Sequence, residues 1–215
     1  MKAQRVLGLV LFATMASAPL AWAAESETSG TLDKGRLDPG WFGAGLEFRH
    51  ADEFDYLWVK PGFSIEGHKV RFLPFGEVVF LGSTAAKRDE KDRRLAHEVN
   101  PVLHEELAAK FGAAFGKRLS ILSEGEDVRV EGRIVDCGLS ATIIVGPVPL
   151  VGVGQQLFRL TVDIKFVDAV TGELLVAIHH RAVSDDFSEW LEDMADQVAD
   201  DGFTKLYSKG KRIKD

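Results

Sequence analysis

The side chains with the widest chemical repertoire in this sequence are its six histidines, because histidine is the commonest metal ligand and proton shuttle. His97 and Glu98 match the start of a zinc-protease signature, in which a second histidine follows four residues after the first. That position is Pro101, and His104 would lie about 10.5 Å from His97 along a continuous helix. Two side chains so far apart cannot both reach one zinc ion, so we expect no metal site here.

His179 and His180 are adjacent on a predicted strand, so their side chains point to opposite faces and cannot share a metal. If Asp168 pairs with Glu173 across the predicted hairpin, Val162 faces His179 and places it near the core. Each histidine is expected to lie near the end of the sheet with one hydrogen-bonded ring nitrogen, while a role in sensing pH stays open.

Other side chains that could support catalysis show no recognisable arrangement. The motif Gly-x-Ser-x-Gly does not occur, and the paired acids are adjacent on predicted helices or at their starts, where they diverge by about 100°. Cys137 is the only cysteine, so no intramolecular disulfide can form, and its neighbour Asp136 would raise the pKa of the thiol. We therefore expect a half-buried structural cysteine and assign no catalytic residue, metal ligand or cofactor.

The most unusual segment runs from residue 141 to residue 154, where the chain is apolar, glycine-bearing and uncharged. A phosphate-binding loop would need Gly-Lys-Ser/Thr at its end, but Gln155 follows the last glycine. One interpretation is a surface that inserts into a partner, an oligomer interface or a membrane. The alternative is a β-arm folded onto its own sheet. Under the first interpretation the binding residues are Ile143, Ile144, Val148, Leu150, Val151 and Val153.

Strands must position most of these residues. Short β-prone runs are expected at 56–59, 70–73 and 78–81, and alternating strands at 128–134 and 160–166. In the run 128–134 the apolar residues should face the core, and the charged residues, including Arg133, should face water. The segment 168–173 predicts a turn, after which the chain returns along 174–181 as the second strand of a hairpin.

Two helices complete the predicted fold. Apolar residues spaced four apart predict a helix from Pro101 to about Lys117, with Asn100 as its cap and a charged turn or short helix from Asp89 before it. A second amphipathic helix is expected from Asp186 to about Leu206. The predicted fold class is α+β, an antiparallel sheet of about five or six strands packed by two amphipathic helices.

The N-terminus has the three-part pattern of a secretory signal. Lys2 and Arg5 precede an apolar stretch, and Ala21-Trp22-Ala23 places small residues at the cleavage site, so residues 1–23 are a predicted signal peptide. The apolar stretch is shorter than the roughly 20 residues of a membrane-spanning helix, and no transmembrane segment is expected after cleavage. We further expect a flexible tether at 24–52, with Trp41 and Phe42 as the residues that would pin it to the domain, a single α+β domain at 53–208 and a basic tail at 209–215.

The mature chain would be acidic. Removal of Lys2 and Arg5 leaves 24 of the 26 basic side chains against 33 acids, so the net charge becomes −9. Such a surface repels phosphate backbones, and we expect no nucleic-acid partner.

Several short motifs occur in an order typical of one group of exported proteins. They include Lys60-Pro61-Gly62, the strand from Val130 to Asp136, Gly152-Val153-Gly154 and the turn from Asp168 to Glu173. In this order the chain resembles the bacterial envelope lipoproteins known as domains of unknown function 3313 and 4410, over about residues 54–208. The resemblance implies a compact α/β or α+β domain with no assigned activity. This chain differs from those lipoproteins in one respect, since no cysteine stands at the cleavage site for lipid attachment.

These observations predict an exported protein, periplasmic or otherwise associated with the envelope. Its expected role is that of a non-enzymatic binding or assembly-accessory module, which contacts another envelope protein or itself through 141–154. The alternative is a small-ligand carrier or a hydrolase-type enzyme whose site is built from residues distant in sequence, such as His179 or His180 with an acidic partner.

Overall fold

The structure is a computed structural model and describes residues 32–43, 45–139, 158–184 and 187–213. Within these ranges eight strands form one sheet: β1 Arg49–Ala51, β2 Phe54–Val59, β3 Lys69–Phe72, β4 Ser120–Ile121, β5 Val128–Leu139, β6 Phe158–Asp168, β7 Leu174–Ser184 and β8 Lys211–Arg212. The helices are α1 Pro39–Phe42, α2 Glu90–Phe115 and α3 Phe187–Lys209. The α+β class is confirmed.

The sheet is mixed, with the order β4-β3-β5-β6-β7-β2-β1-β8. Strand β3 runs parallel to β4 and β5, and the remaining pairs are antiparallel. The prediction of an antiparallel sheet of five or six strands is therefore wrong in both respects. The physical reason is α2, because it carries the chain across the sheet between β3 and β5 and so allows these neighbours to be parallel.

Helices α2 and α3 cover one face of the sheet, here called the helix face. The expected stripe of Leu103, Leu107, Phe111 and Phe115 is buried there, beside the α3 residues Met194 and Phe203. A separate turn or short helix was expected from Asp89, whereas α2 runs without a break from Glu90, capped by the Asp89 carboxylate, which accepts hydrogen bonds from the amides of Lys91 and Asp92.

Pro101 therefore lies inside α2 and does not open it. Asn100 is not a cap, since its side-chain amide donates to the Gly76 carbonyl at 3.0 Å. That contact ties the middle of the helix to the segment that follows β3.

The opposite face of the sheet is covered by residues 32–43 and 45–48, here called the strap. Leu37, Phe42 and Phe48 of the strap are at most 5 % exposed and form a second apolar cluster with Ala177. Residues 24–52 were expected to be a tether, whereas from Leu32 onwards the chain packs on the sheet. The expected basic tail also differs, because Lys211 and Arg212 form β8 and pair with β1.

Two irregularities decide which residues face the strap. A register shift between Ile134 and Asp136 brings Asp136 onto the strap face, opposite Thr161. A second shift lies near the hairpin turn, so that Asp163, not Val162, is the partner of His179. The predicted pairing of Val162 with His179 is wrong by one residue, and this moves the His179 side chain to the strap face.

An ionic network beneath the strap and a groove beside Trp41

Beneath the strap, one histidine is held between two carboxylates. His179 is completely buried; its Nδ1 lies 2.6 Å from Asp163 Oδ1, and its Nε2 lies 2.9 Å from Asp33 Oδ2. Asp163 is contributed by the neighbouring strand β6, and Asp33 by the strap. Both ring nitrogens therefore have an acceptor, the arrangement that suits a protonated imidazole.

The charge state of His179 follows from these contacts. Burial alone would lower the pKa of His179, but the hydrogen bonds to Asp163 and Asp33 raise it to about 9. Burial would raise the pKa of Asp33, but hydrogen bonds from His179 and Arg36 lower it far below its ordinary value. Asp33 and His179 therefore form an ion pair over the whole neutral range, and the suggested role of His179 as a sensor of pH near neutrality finds no support.

Arginines extend this network in two directions. Arg36 of the strap donates to Asp33 through Nε at 2.7 Å and lies 3.4 Å from Asp136. Arg133, expected to face water, is only 8 % exposed and donates from Nε to Asp163 at 2.8 Å. Arg36 and Asp33 thus attach the strap to β5 and β7, and Asp163 on β6 joins the network through His179 and Arg133.

A groove of about 410 Å³ opens where the strap meets the edge of β5. Trp41 forms one wall and the extended segment 73–79 forms the other, with Glu131 and Arg133 also lining the groove. The segment 73–79 is fixed by backbone hydrogen bonds from Leu73, Gly76 and Val79 to β5.

The position of Trp41 is set by charged neighbours. The Arg133 guanidinium carbon lies 4.5 Å from the centre of the Trp41 ring, and Lys165 Nζ lies 4.4 Å from it. Asp38 accepts a hydrogen bond from the Gly40 amide at the start of α1 and lies 3.5 Å from Arg133 Nη2. The ionic network and the groove thus share Arg133.

Gly132 shapes the opposite side of the same strand. A Cβ atom at this position would lie 2.4 Å from the Phe75 ring, which packs directly against the backbone of β5. The absence of a side chain at Gly132 therefore lets the segment 73–79 lie close to β5.

The other residues considered from the sequence lie apart from this site. His180 faces the helix side, where it stacks on Trp190 at 4.8 Å, and its Nδ1 lies 3.1 Å from Asp55. Cys137 is fully buried, and burial together with Asp136 raises the pKa of its thiol to about 12, so it is less accessible than expected.

His97 and His104 both lie on α2, and the described residues contain no group of three or more side chains that could hold a metal ion. The candidate binding residues Ile143, Ile144, Val148, Leu150, Val151 and Val153, and the predicted signal peptide at 1–23, lie outside the described ranges.

Sequence reasoning missed the network because its members are scattered from Asp33 to His179. One signal was available: apolar residues such as Leu37, Phe42 and Phe48 recur in a segment interpreted as a tether. A tether has no need of such residues. Their presence indicated that the second face of the sheet would be covered, and that charged residues on that face would be buried.

In the described residues no helix has the length and apolar character needed to cross a membrane. No protein-family model matches the chain, and no curated protein matches it. The resemblance to domains of unknown function 3313 and 4410 is thus not confirmed.

Similar solved structures include a dodecameric PelC variant from Paraburkholderia phytofirmans, with 10 % identity, a TM-score of 0.43 and coverage of 71 % of this chain and 97 % of that one. Lipoprotein GNA1162 from Neisseria meningitidis has 10 % identity and a TM-score of 0.32, covering 62 % and 96 %. A DUF330 protein from Xanthomonas campestris has 9 % identity and a TM-score of 0.38, covering 70 % and 91 %. This chain is thus distantly similar to solved bacterial proteins that include a lipoprotein, and scores this low carry no conclusion about its activity.

Proposed function

We propose that this chain is an exported, envelope-associated protein that binds another envelope component and catalyses no reaction. Export rests on the basic start, apolar core and small-residue cleavage site of residues 1–23. Binding rests on the groove beside Trp41.

The groove is the single observation that favours binding most. Its volume of about 410 Å³ lies within the range of roughly 300–1,000 Å³ that is typical of ligand sites. It combines a tryptophan ring, apolar surface from Leu73 and Val79, and the polar groups of Glu77 and Glu131. Such a mixture suits a ligand with both apolar and hydrogen-bonding groups.

The alternative, an enzyme with a site built from distant residues, receives less support. His179 would be its natural base, but it is completely buried and both of its nitrogens are occupied by Asp163 and Asp33. With its pKa raised to about 9, it holds its proton at neutral pH and cannot accept another.

The segment 141–154 is proposed as a second contact surface, for another envelope protein or a second copy of the chain. It begins shortly after Leu139 and ends shortly before Phe158, which are cross-strand partners at the end of the β5–β6 hairpin. Leu139 is 38 % exposed, so apolar surface continues up to the point where the segment begins.

Photocross-linking in intact cells tests both surfaces. A photoreactive amino acid would replace Glu77 in the groove wall or Leu150 in the segment, and the control would be Val170, which is 89 % exposed on the hairpin turn. We expect discrete adducts from Glu77 and Leu150 but not from Val170, and we expect Trp41→Ala to abolish the adduct at Glu77.

Adducts that are the same from all three positions, or absent from all three, would contradict the proposal. An adduct from Leu150 alone would remove the groove from it. Mass spectrometry of the cross-linked peptide identifies the attached molecule in each case.

A further inference from the structure

Three arginines lie around one buried carboxylate, that of Asp136, on the face of the sheet that the strap covers. Asp136 is completely buried, and its oxygens lie 2.6 Å from Arg88 Nε, 3.4 Å from Arg36 Nη1 and 3.9 Å from Arg159 Nε. One carboxylate is therefore shared by three guanidinium groups.

Two of the three arginines have a second carboxylate, and the third does not. Arg36 also pairs with Asp33 at 2.5 Å, and Arg88 also lies 3.6 Å from Asp92. Among the described residues, Arg159 has an ionic contact with Asp136 alone, and its buried Nε has no hydrogen-bond partner there. Its positive charge is the least compensated of the three.

The surroundings of Arg159 reinforce this imbalance. Burial lowers the pKa of Arg159, and the charges of Arg88, Arg36 and Arg181 lower it further, against the opposing effect of Asp136. An additional negative group would relieve the repulsion between these guanidinium groups.

Arg159 is also accessible to a ligand. Its side chain is 29 % exposed, and its cross-strand partner is Gly138. Because Gly138 lacks a side chain, the Arg88 guanidinium fits there; a Cβ atom would lie 2.6 Å from Arg88 Nη1. On the same face the Thr161 hydroxyl is buried and has no hydrogen-bond partner among the described residues.

We propose that Arg159, at the exposed edge of this arginine cluster, binds an anionic oxygen group of the phosphate or carboxylate class. The planar guanidinium of arginine donates two parallel hydrogen bonds to such groups, which a lysine cannot reproduce. The site lies near the end of the β5–β6 hairpin, and it stands independently of the groove beside Trp41.

Isothermal titration calorimetry of the full mature chain with inorganic phosphate tests this proposal. We expect Arg159→Gln to weaken phosphate binding about tenfold or more, through loss of charged hydrogen bonds. Arg129→Gln is a matched control that should leave binding unchanged. Arg129 is 35 % exposed and lies 4.0 Å from a single carboxylate, Glu131.

Cosedimentation with vesicles identifies the source of the anion. Vesicles of phosphatidylglycerol present the phosphate as a lipid headgroup, and vesicles of phosphatidylcholine have no net charge. If the phosphatidylglycerol vesicles alone bind the protein, and Arg159→Gln abolishes that binding, the group is a lipid headgroup. If free phosphate alone binds in an Arg159-dependent manner, the ligand is a soluble anion.

The stability of the variants separates binding from a structural role. Because the Arg159 charge is poorly compensated, Arg159→Gln should be at least as stable as the unmodified chain. Arg159→Lys keeps the charge without the planar fork and should bind phosphate with intermediate affinity. The proposal is overturned if neither phosphate nor phosphatidylglycerol binds, or if Arg159→Gln binds both as well as Arg129→Gln does.

Discussion

His179 is the residue on which the ionic network depends, and its titration makes the network measurable. Its folded pKa of about 9 lies above the ordinary value of 6.5, because Asp163 and Asp33 overcome the effect of burial. A raised pKa contributes stability that is fully present below pH 6.5 and is lost as the pH rises through 9. The difference corresponds to about 3 kcal/mol.

We therefore compare the free energy of unfolding, measured with urea, at pH 6 and pH 10 for the unmodified chain and for His179→Gln. The loss of stability should be about 3 kcal/mol larger for the unmodified chain than for the variant. The variant cannot take up the proton, so it serves as the reference for all other groups that titrate in this range. Parallel profiles for the two proteins would show that His179 is not charged in the folded state.

The contacts of His179 could not be predicted at the level of residues. The sequence places His179 and His180 on a strand that pairs with the alternating strand at 160–166. A register shift of one residue near the hairpin turn moves each histidine side chain to the face of the sheet opposite to the predicted one. The turn itself was predicted, and the hydrogen bond from the Asp168 amide to the Glu173 carbonyl is present. The sequence did not reveal the register shift between Phe166 and Val167, next to this turn.

At the scale of elements, the strap is the feature that distinguishes the observed structure from the predicted one. Leu37 is completely buried among residues of the second apolar cluster, although it precedes the first strand. If the strap folds with the domain, Leu37→Ala should lower the free energy of unfolding by about 2–5 kcal/mol in a single cooperative transition.

Val170→Ala is the matched control for this experiment, because Val170 is 89 % exposed and should tolerate the change. Equal stability of the Leu37 variant and the control would mean that residues 32–48 behave as the tether that the sequence suggested.

Helix α2 shows a related limit of element prediction. Its buried stripe followed directly from the spacing of Leu103, Leu107, Phe111 and Phe115, but its unbroken course from Glu90 through Pro101 did not. Asn100-Pro101 is a favourable helix start by local preference. Contacts such as the hydrogen bond from Asn100 to Gly76 favour a longer helix that includes the proline. Tertiary contacts of this kind leave no pattern in neighbouring residues.

At the scale of the whole molecule, the α+β class followed from the pattern of strands and helices, whereas the mixed topology did not. Parallel pairing of β3 with β5 joins segments more than 50 residues apart, and no short-range pattern encodes it. The groove beside Trp41 has the same origin, since strap, β5 and the segment 73–79 meet only in the folded chain.

Native mass spectrometry of the protein, gently extracted from the cells that make it, tests the central claim of binding through this groove most directly. The account predicts an additional non-covalent mass on the unmodified chain, lost in Trp41→Ala and kept in Trp58→Ala. Trp58 is the matched control, because it also packs in the second apolar cluster but does not line the groove. The account is contradicted if none of the three proteins carries an additional mass, or if the additional mass persists in Trp41→Ala.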